Sequence, residues 1–103
     1  MAGKSPKLKR LNASKLKVAV VSASWHPEIC SGLIDGAKRA LVANKVKKVT
    51  YHEVSGSFEL PLAAQKLFDS GIDVVVVLGL VLKGDTPHFD YICEGVTNGI
   101  MQV

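Results

Sequence analysis

The run Val74-Val75-Val76-Val77-Leu78 constrains this chain more than any other stretch. Four consecutive β-branched residues favour a strand, and the lack of alternation marks a strand that is apolar on both faces. The apolar stretch continues through Gly79-Leu80-Val81-Leu82 and stops there, far short of the roughly 20 residues that a membrane span requires. A fully buried strand is therefore expected over residues 74–79. A strand of that kind belongs in a parallel sheet with helices on its faces. It delivers a polar loop, Lys83-Gly84-Asp85-Thr86-Pro87-His88, to its C-terminal end, and a helical pattern runs from Phe89 onward. Backbone N–H groups at such a loop-to-helix junction favour an anion. His88 stands beside that junction, and imidazole is the side chain that exchanges protons near neutral pH.

The rest of the chain repeats the alternation. Residues 17–22 (KVAVVS) form a first short apolar strand, and residues 23–26 a loop. Pro27 suits the first position of a helix and Glu28 its first turn. Ile29, Leu33, Ala37 and Leu41 recur every four residues, with Asp35, Lys38 and Arg39 on the other side, so an amphipathic helix is expected to end near Asn44. Residues 46–54 hold good strand formers but are more polar, which places this strand at the sheet edge. Ser55-Gly56 make a turn, and Ser57 is expected to cap the next helix, where Pro61 is tolerated in the first turn. Leu60, Ala63, Ala64 and Leu67 give its buried stripe, and Gly71 its C-terminal cap. Strand, helix, strand, helix, strand, helix implies an α/β fold with a parallel sheet and right-handed crossovers. With 103 residues there is room for one domain.

The formal net charge is +4, but it is unevenly spread. Residues 1–17 hold Lys4, Lys7, Lys9, Arg10, Lys15 and Lys17 and no acid, whereas the acids outnumber the bases in the remainder. The basicity belongs to an irregular arm, residues 1–16, rather than to the fold. Without interleaved aromatics or a following nucleic-acid motif, a solvated or edge-pairing arm is expected, with neither nucleic acid nor membrane as partner. A transit peptide is a weaker reading of the same composition. No secretory h-region is seen, and Cys30 and Cys93 fall in separate helices. They read as small buried hydrophobes in a reducing cytoplasm rather than as a disulfide.

Ligands of parallel α/β sheets bind outside the carboxyl ends of the strands. Residues 22–26, 54–59 and 79–88 are thus expected to meet on one edge. Trp25 offers a flat surface on which a planar ring can stack, or alternatively a core or interface aromatic. Glu59 either accepts hydrogen bonds from hydroxyls or simply favours a helix N-terminus. Thr86 and the backbone of residues 84–86 can cradle a phosphate, although many turns look alike. His88 is either a proton-transfer group or a structural histidine, and His26 and His52 are assigned structural places. Asp85 and Asp90 have no clear partner, and no grouping has metal-ligand spacing.

Three motifs in order, Ser-Ala-Ser-Trp-His (22–26), Gly-Ser-Phe-Glu-Leu-Pro (56–61) and Gly-Leu-Val-Leu-Lys-Gly-Asp-Thr-Pro-His-Phe-Asp (79–90), resemble the lumazine synthase family over residues 17–103. That resemblance implies a flavodoxin-like three-layer α/β/α sandwich. It implies a cytoplasmic transferase of riboflavin biosynthesis that condenses 5-amino-6-(D-ribitylamino)uracil with 3,4-dihydroxy-2-butanone 4-phosphate. Trp25 then stacks on the pyrimidine, while Ser57, Phe58, Glu59, Leu80, Val81 and Leu82 hold the ribitylaminouracil. Asp85 and Thr86 bind the phosphate, and His88 transfers protons. No metal or organic cofactor is implied. The family assembles as homopentamers, some stacked into shells, with the arm paired to a neighbour's sheet. Two departures stand out. Lys83 replaces the usual arginine, losing a planar bidentate donor. The family also continues past the position of Val103 with a fourth core strand and further helices, which supply an aromatic and an arginine to the site. The resemblance therefore implies a C-terminally truncated lumazine synthase domain, inactive by itself; the alternative is a non-catalytic assembly or binding fragment of the same fold.

Overall fold

In the computed structural model Gly3 and residues 5–103 are described; Met1, Ala2 and Lys4 of the basic arm lie outside the described residues. Strand β1 (Lys17–Ala23) is followed by α1 (Pro27–Ala43), β2 (Lys48–Val54), a 3-10 turn (Ser57–Glu59), α2 (Leu60–Asp69), β3 (Val74–Leu78) and α3 (His88–Gln102). The three strands are parallel and ordered β2-β1-β3. The chain moves one way from β1 to β2 and back across β1 to β3. Right-handed crossovers then put α1 on one face and α2 on the other, giving the expected three layers of a flavodoxin-like fold. Helix α3 packs beside α2 and the 3-10 turn.

The buried centre is β1. Val18, Ala19, Val20 and Val21 lie at 2% exposure or less, because β1 alone has a strand on each side and helices above and below. Each such valine contributes about 1.5–3 kcal/mol by leaving water. Strand β3 departs from expectation: Val74 is 38% exposed and the rest of β3 is half-buried. Its composition is that of a central strand, but among the described residues it pairs only with β1, and burial follows the number of neighbours. β2 is the polar edge strand, as its composition predicts.

Helix α1 is also rotated from the expected stripe. Ile29 and Leu33 are exposed, at 52% and 38%, and Cys30 is the buried residue, with Ile34, Ala37 and Leu41 half-buried. A four-residue spacing drifts across the face of a 3.6-residue helix, so the first two positions of the predicted row fall off the edge. α2 buries Leu60 and Ala64 and half-buries Ala63 and Leu67, as expected.

Both helices end in the same hydrogen-bonded motif. In α1 the Lys45 N–H donates to the Val42 carbonyl and the Val46 N–H to that of Leu41; in α2 Gly71 donates to Phe68 and Ile72 to Leu67. The residue that turns the chain sits at φ 62° in Lys45 and φ 98° in Gly71, the left-handed region this motif demands. The described arm is anchored just there. The Leu11 N–H donates to Asn44 Oδ1 at 2.7 Å and the Ala13 N–H to the Asn44 carbonyl at 2.8 Å.

Candidate active site

At the carboxyl ends of β1, β2 and β3 lies an open cavity of about 480 Å³. It is lined by Trp25 and His26 from the loop after β1, Gly56 to Glu59 from the turn after β2, Leu80 to Leu82 from the loop after β3, and His88 and Ile92 from α3. The three loops expected at this edge therefore meet in one place. Eight sequence-predicted residues line the cavity: Trp25, Ser57, Phe58, Glu59, Leu80, Val81, Leu82 and His88.

The walls are fixed by a few close approaches. The Ser57 hydroxyl donates to the Leu80 carbonyl at 3.0 Å, tying the turn after β2 to the loop after β3. It makes no capping bond, so the expected helix cap is not its role; Gly56 and Glu59 occupy the cap positions without side-chain bonds. With its one proton given to Leu80, the Ser57 hydroxyl can act toward a ligand only as an acceptor. Gly79 makes this latch possible, since a Cβ there would stand 2.6 Å from Ser57 Oγ. Gly56 likewise leaves room for the indole: a Cβ there would be 3.5 Å from Trp25 Cδ1 and 3.2 Å from Glu59 Oε2. The indole edge and the carboxylate thus flank the same glycine. On α3, Gly95 admits the Phe58 ring and Gly99 the Pro61 ring, each of which would lie 2.7 Å from an added Cβ. These two glycines, one turn apart, bring α3 and His88 close to the turn that carries Glu59.

His88 opens α3 after Pro87, and its N–H reaches Thr86 Oγ1 at 3.4 Å. Asp85 and Thr86 lie exposed in the same loop and do not line the cavity. The first unpaired N–H groups of this 15-residue helix nonetheless face that loop. His26 was assigned a structural place, yet it lines the cavity beside Trp25, in the left-handed region at φ 55°. Its position directly after Trp25 is the one sequence signal that pointed there. His52 lies exposed on β2, away from this cavity, its Nε2 2.8 Å from Thr50 Oγ1. Cys30 is buried and Cys93 half-buried, both free. No cluster of three or more potential metal ligands occurs among the described residues. The surface is aromatic and apolar, with one carboxylate and two imidazoles. Such a lining suits a planar, polar-edged ligand that undergoes proton transfer.

The family model for 6,7-dimethyl-8-ribityllumazine synthase matches residues 15–103. A protein of that name from Streptomyces coelicolor is 48% identical over 104 aligned residues, covering all of this chain and 65% of the relative. Relatives of the same name from Kineococcus radiotolerans and Kocuria rhizophila are 52% and 53% identical, covering 96% and 90% of this chain and 61% and 59% of their own lengths. The chain thus spans a little under two thirds of the length of these relatives. The three loops that build the cavity lie inside the matched region, and the chain belongs to the 6,7-dimethyl-8-ribityllumazine synthase family.

Proposed function

We propose that the cavity binds 5-amino-6-(D-ribitylamino)uracil against Trp25 and serves its condensation with 3,4-dihydroxy-2-butanone 4-phosphate to 6,7-dimethyl-8-ribityllumazine, phosphate and water. The observation that carries this reading is the convergence of Trp25, Glu59, Leu80 to Leu82 and His88, drawn from three separate motifs, on one cavity. Trp25 presents an indole 68% exposed, a face free to stack on the pyrimidine. Glu59 accepts hydrogen bonds from ribityl hydroxyls. Phe58 and the backbone of Ser57 and of Leu80, Val81 and Leu82 hold the uracil edge. Thr86 and the N–H groups heading α3 receive the phosphate. Asp85 contributes there through its backbone, since its carboxylate repels an anion. Lys83 adds a point charge in place of a fork of donors.

His88 is assigned the proton transfers. Imine formation takes a proton from the attacking amine and gives one to the departing hydroxyl; loss of phosphate and ring closure each move another. A group that both accepts and donates near neutral pH suits such a sequence better than a nucleophile. Holding the two substrates face to face supplies much of the remaining acceleration. Neither a metal nor an organic cofactor enters these steps. We assign the chemistry to residues 17–103 and treat residues 1–16 as an arm, in a cytoplasmic transferase.

Assembly of several copies, with a pentamer as the specific proposal, is supported by apolar exposure around the site. Phe58, Leu62, Leu82, Tyr91 and Met101 are 57–81% exposed, an apolar surface that a neighbouring copy would cover. The functional reading is tested by calorimetric titration with ribitylaminouracil. Trp25→Ala is expected to weaken binding by about 1–3 kcal/mol, the range for base–aromatic stacking. Equal affinity in the two proteins would remove Trp25 from the site.

A further inference from the structure

The loop that carries Trp25 is gripped from behind by a buried residue that does not line the cavity at Trp25. Cys30, in the first turn of α1, is 3% exposed. Its thiol lies 3.3 Å from the Trp25 carbonyl and donates to it, and its backbone N–H donates to the His26 carbonyl at 3.1 Å. The Ile29 N–H donates to the same His26 carbonyl at 3.0 Å. Two successive carbonyls are therefore oriented by one residue, on either side of a His26 whose φ of 55° is unfavourable for a side chain with a Cβ. The backbone that orients the indole thus needs an external hold, and no helix or strand contains it. The loop before Trp25 is tied to the end of β2 by the Ser24 N–H and hydroxyl, which donate to the Val54 and Ser55 carbonyls at 2.9 Å each. The indole itself has only Gly56 beneath one edge and stands 68% exposed, so the hold on the far side of the Trp25 peptide falls to Cys30.

We propose that Cys30 is a positioning residue for Trp25, its thiol fixing the Trp25–His26 peptide so that the indole forms a preset wall of the cavity. The proposal rests on the stacking role given to Trp25 above, but only its binding arm does. A wall fixed in advance does not have to be ordered when the ligand arrives, so the thiol acts on affinity through preorganisation. Cysteine suits this place because it behaves as a small hydrophobe against the sheet while retaining one weak donor.

Trp25 is the only tryptophan in the chain, so its emission reports the loop directly. The test compares the 103-residue chain with Cys30→Ala, which removes the donor, and Cys30→Ser, which keeps one. In each, the anisotropy and lifetime of Trp25 emission are measured, followed by titration with ribitylaminouracil. The expected result is a fall in anisotropy in Cys30→Ala, with affinity reduced about twofold to fivefold, the size of one weak hydrogen bond. Cys30→Ser is expected to return both readings most of the way to those of the parent. If Cys30→Ala fails to give the parent's far-ultraviolet spectrum, Cys30→Val, which fills the volume without a donor, takes its place with the same expectation. Parent-like anisotropy in the donor-less variant overturns the proposal, as does an equal loss in Cys30→Ser, which would assign the effect to packing. Should the parent itself show no saturable quenching by the pyrimidine, the stacking reading fails, and the anisotropy comparison alone still decides the role of Cys30.

Discussion

Replacing Gly79 by alanine tests how the cavity walls are joined. No left-handed φ is involved at Gly79, so the cost comes from space alone. The new methyl would stand 2.6 Å from Ser57 Oγ, 3.1 Å from Leu60 Cδ1 and 3.5 Å from Ala23 Cβ. Leu60 and Ala23 are buried at 3% and 2% exposure and have nowhere to go, so the Ser57 hydroxyl is what yields. Moving it breaks the 3.0 Å bond to the Leu80 carbonyl. Overpacking of this kind costs about 1–3 kcal/mol, and the lost hydrogen bond adds about 1 kcal/mol. Gly79→Ala is thus expected to destabilise the chain by about 2–4 kcal/mol, a fall in Tm on the order of 10 °C or more. The decisive comparison is a double-mutant cycle by urea unfolding, followed by circular dichroism. In a Ser57→Ala background the oxygen is gone, and Gly79→Ala should cost about 1–2 kcal/mol less than in the parent. Additive effects would show that Ser57 and Gly79 do not share the contact, and the latch would be refuted.

Five further outcomes follow from the same geometry. Lys45→Gly, at φ 62°, is expected to stabilise by about 0.5–1 kcal/mol, and Gly71→Ala, at φ 98°, to destabilise by about 1 kcal/mol; thermal melts read both, and like signs would contradict the shared helix-end motif. Gly99→Ala meets the rigid Pro61 ring and should cost about 1–3 kcal/mol, whereas Gly95→Ala meets the exposed Phe58 ring, which can swing aside, and should be near neutral. Equal costs in denaturant titrations would contradict that distinction. In any preparation that turns over both substrates, His88→Ala should lower lumazine formation by ~10²-fold or more while leaving uracil affinity within about twofold. Near-parental turnover would return His88 to a structural role.

The sequence patterns made the sheet legible because parallel strands and their crossover helices each carry a local signature. The edge place of β2 followed from its polar residues, and the cap at Gly71 from its freedom at positive φ. What escaped depended on neighbours that no local pattern names. The valines of β3 are those of a strand buried on both faces, yet β3 has one partner among the described residues and stays half-exposed. Ser57 sits where a helix cap is expected, but its hydroxyl found a carbonyl 23 residues away. Cys30, rather than Ile29, faces inward, because a row of residues four apart drifts off the buried face of a 3.6-residue helix. The cavity residues were found through motifs at strand ends. For His26 the one sequence signal is its place directly after Trp25, which does not say which way the loop turns the ring.

On the function proposed above, the three strand-end loops form one seat for a planar pyrimidine, with Trp25 on its face and His88 at its edge. A crystal structure of this chain with ribitylaminouracil bound tests it most directly. The expected complex has the pyrimidine ring stacked on the Trp25 indole at about 3.5–4 Å, with the ribityl chain toward Glu59 and His88 beside the ring. A ligand found instead in the smaller cavity of about 310 Å³ between α1 and β2, against Cys30, Tyr51 and Glu53, with Trp25 uncovered, would contradict it.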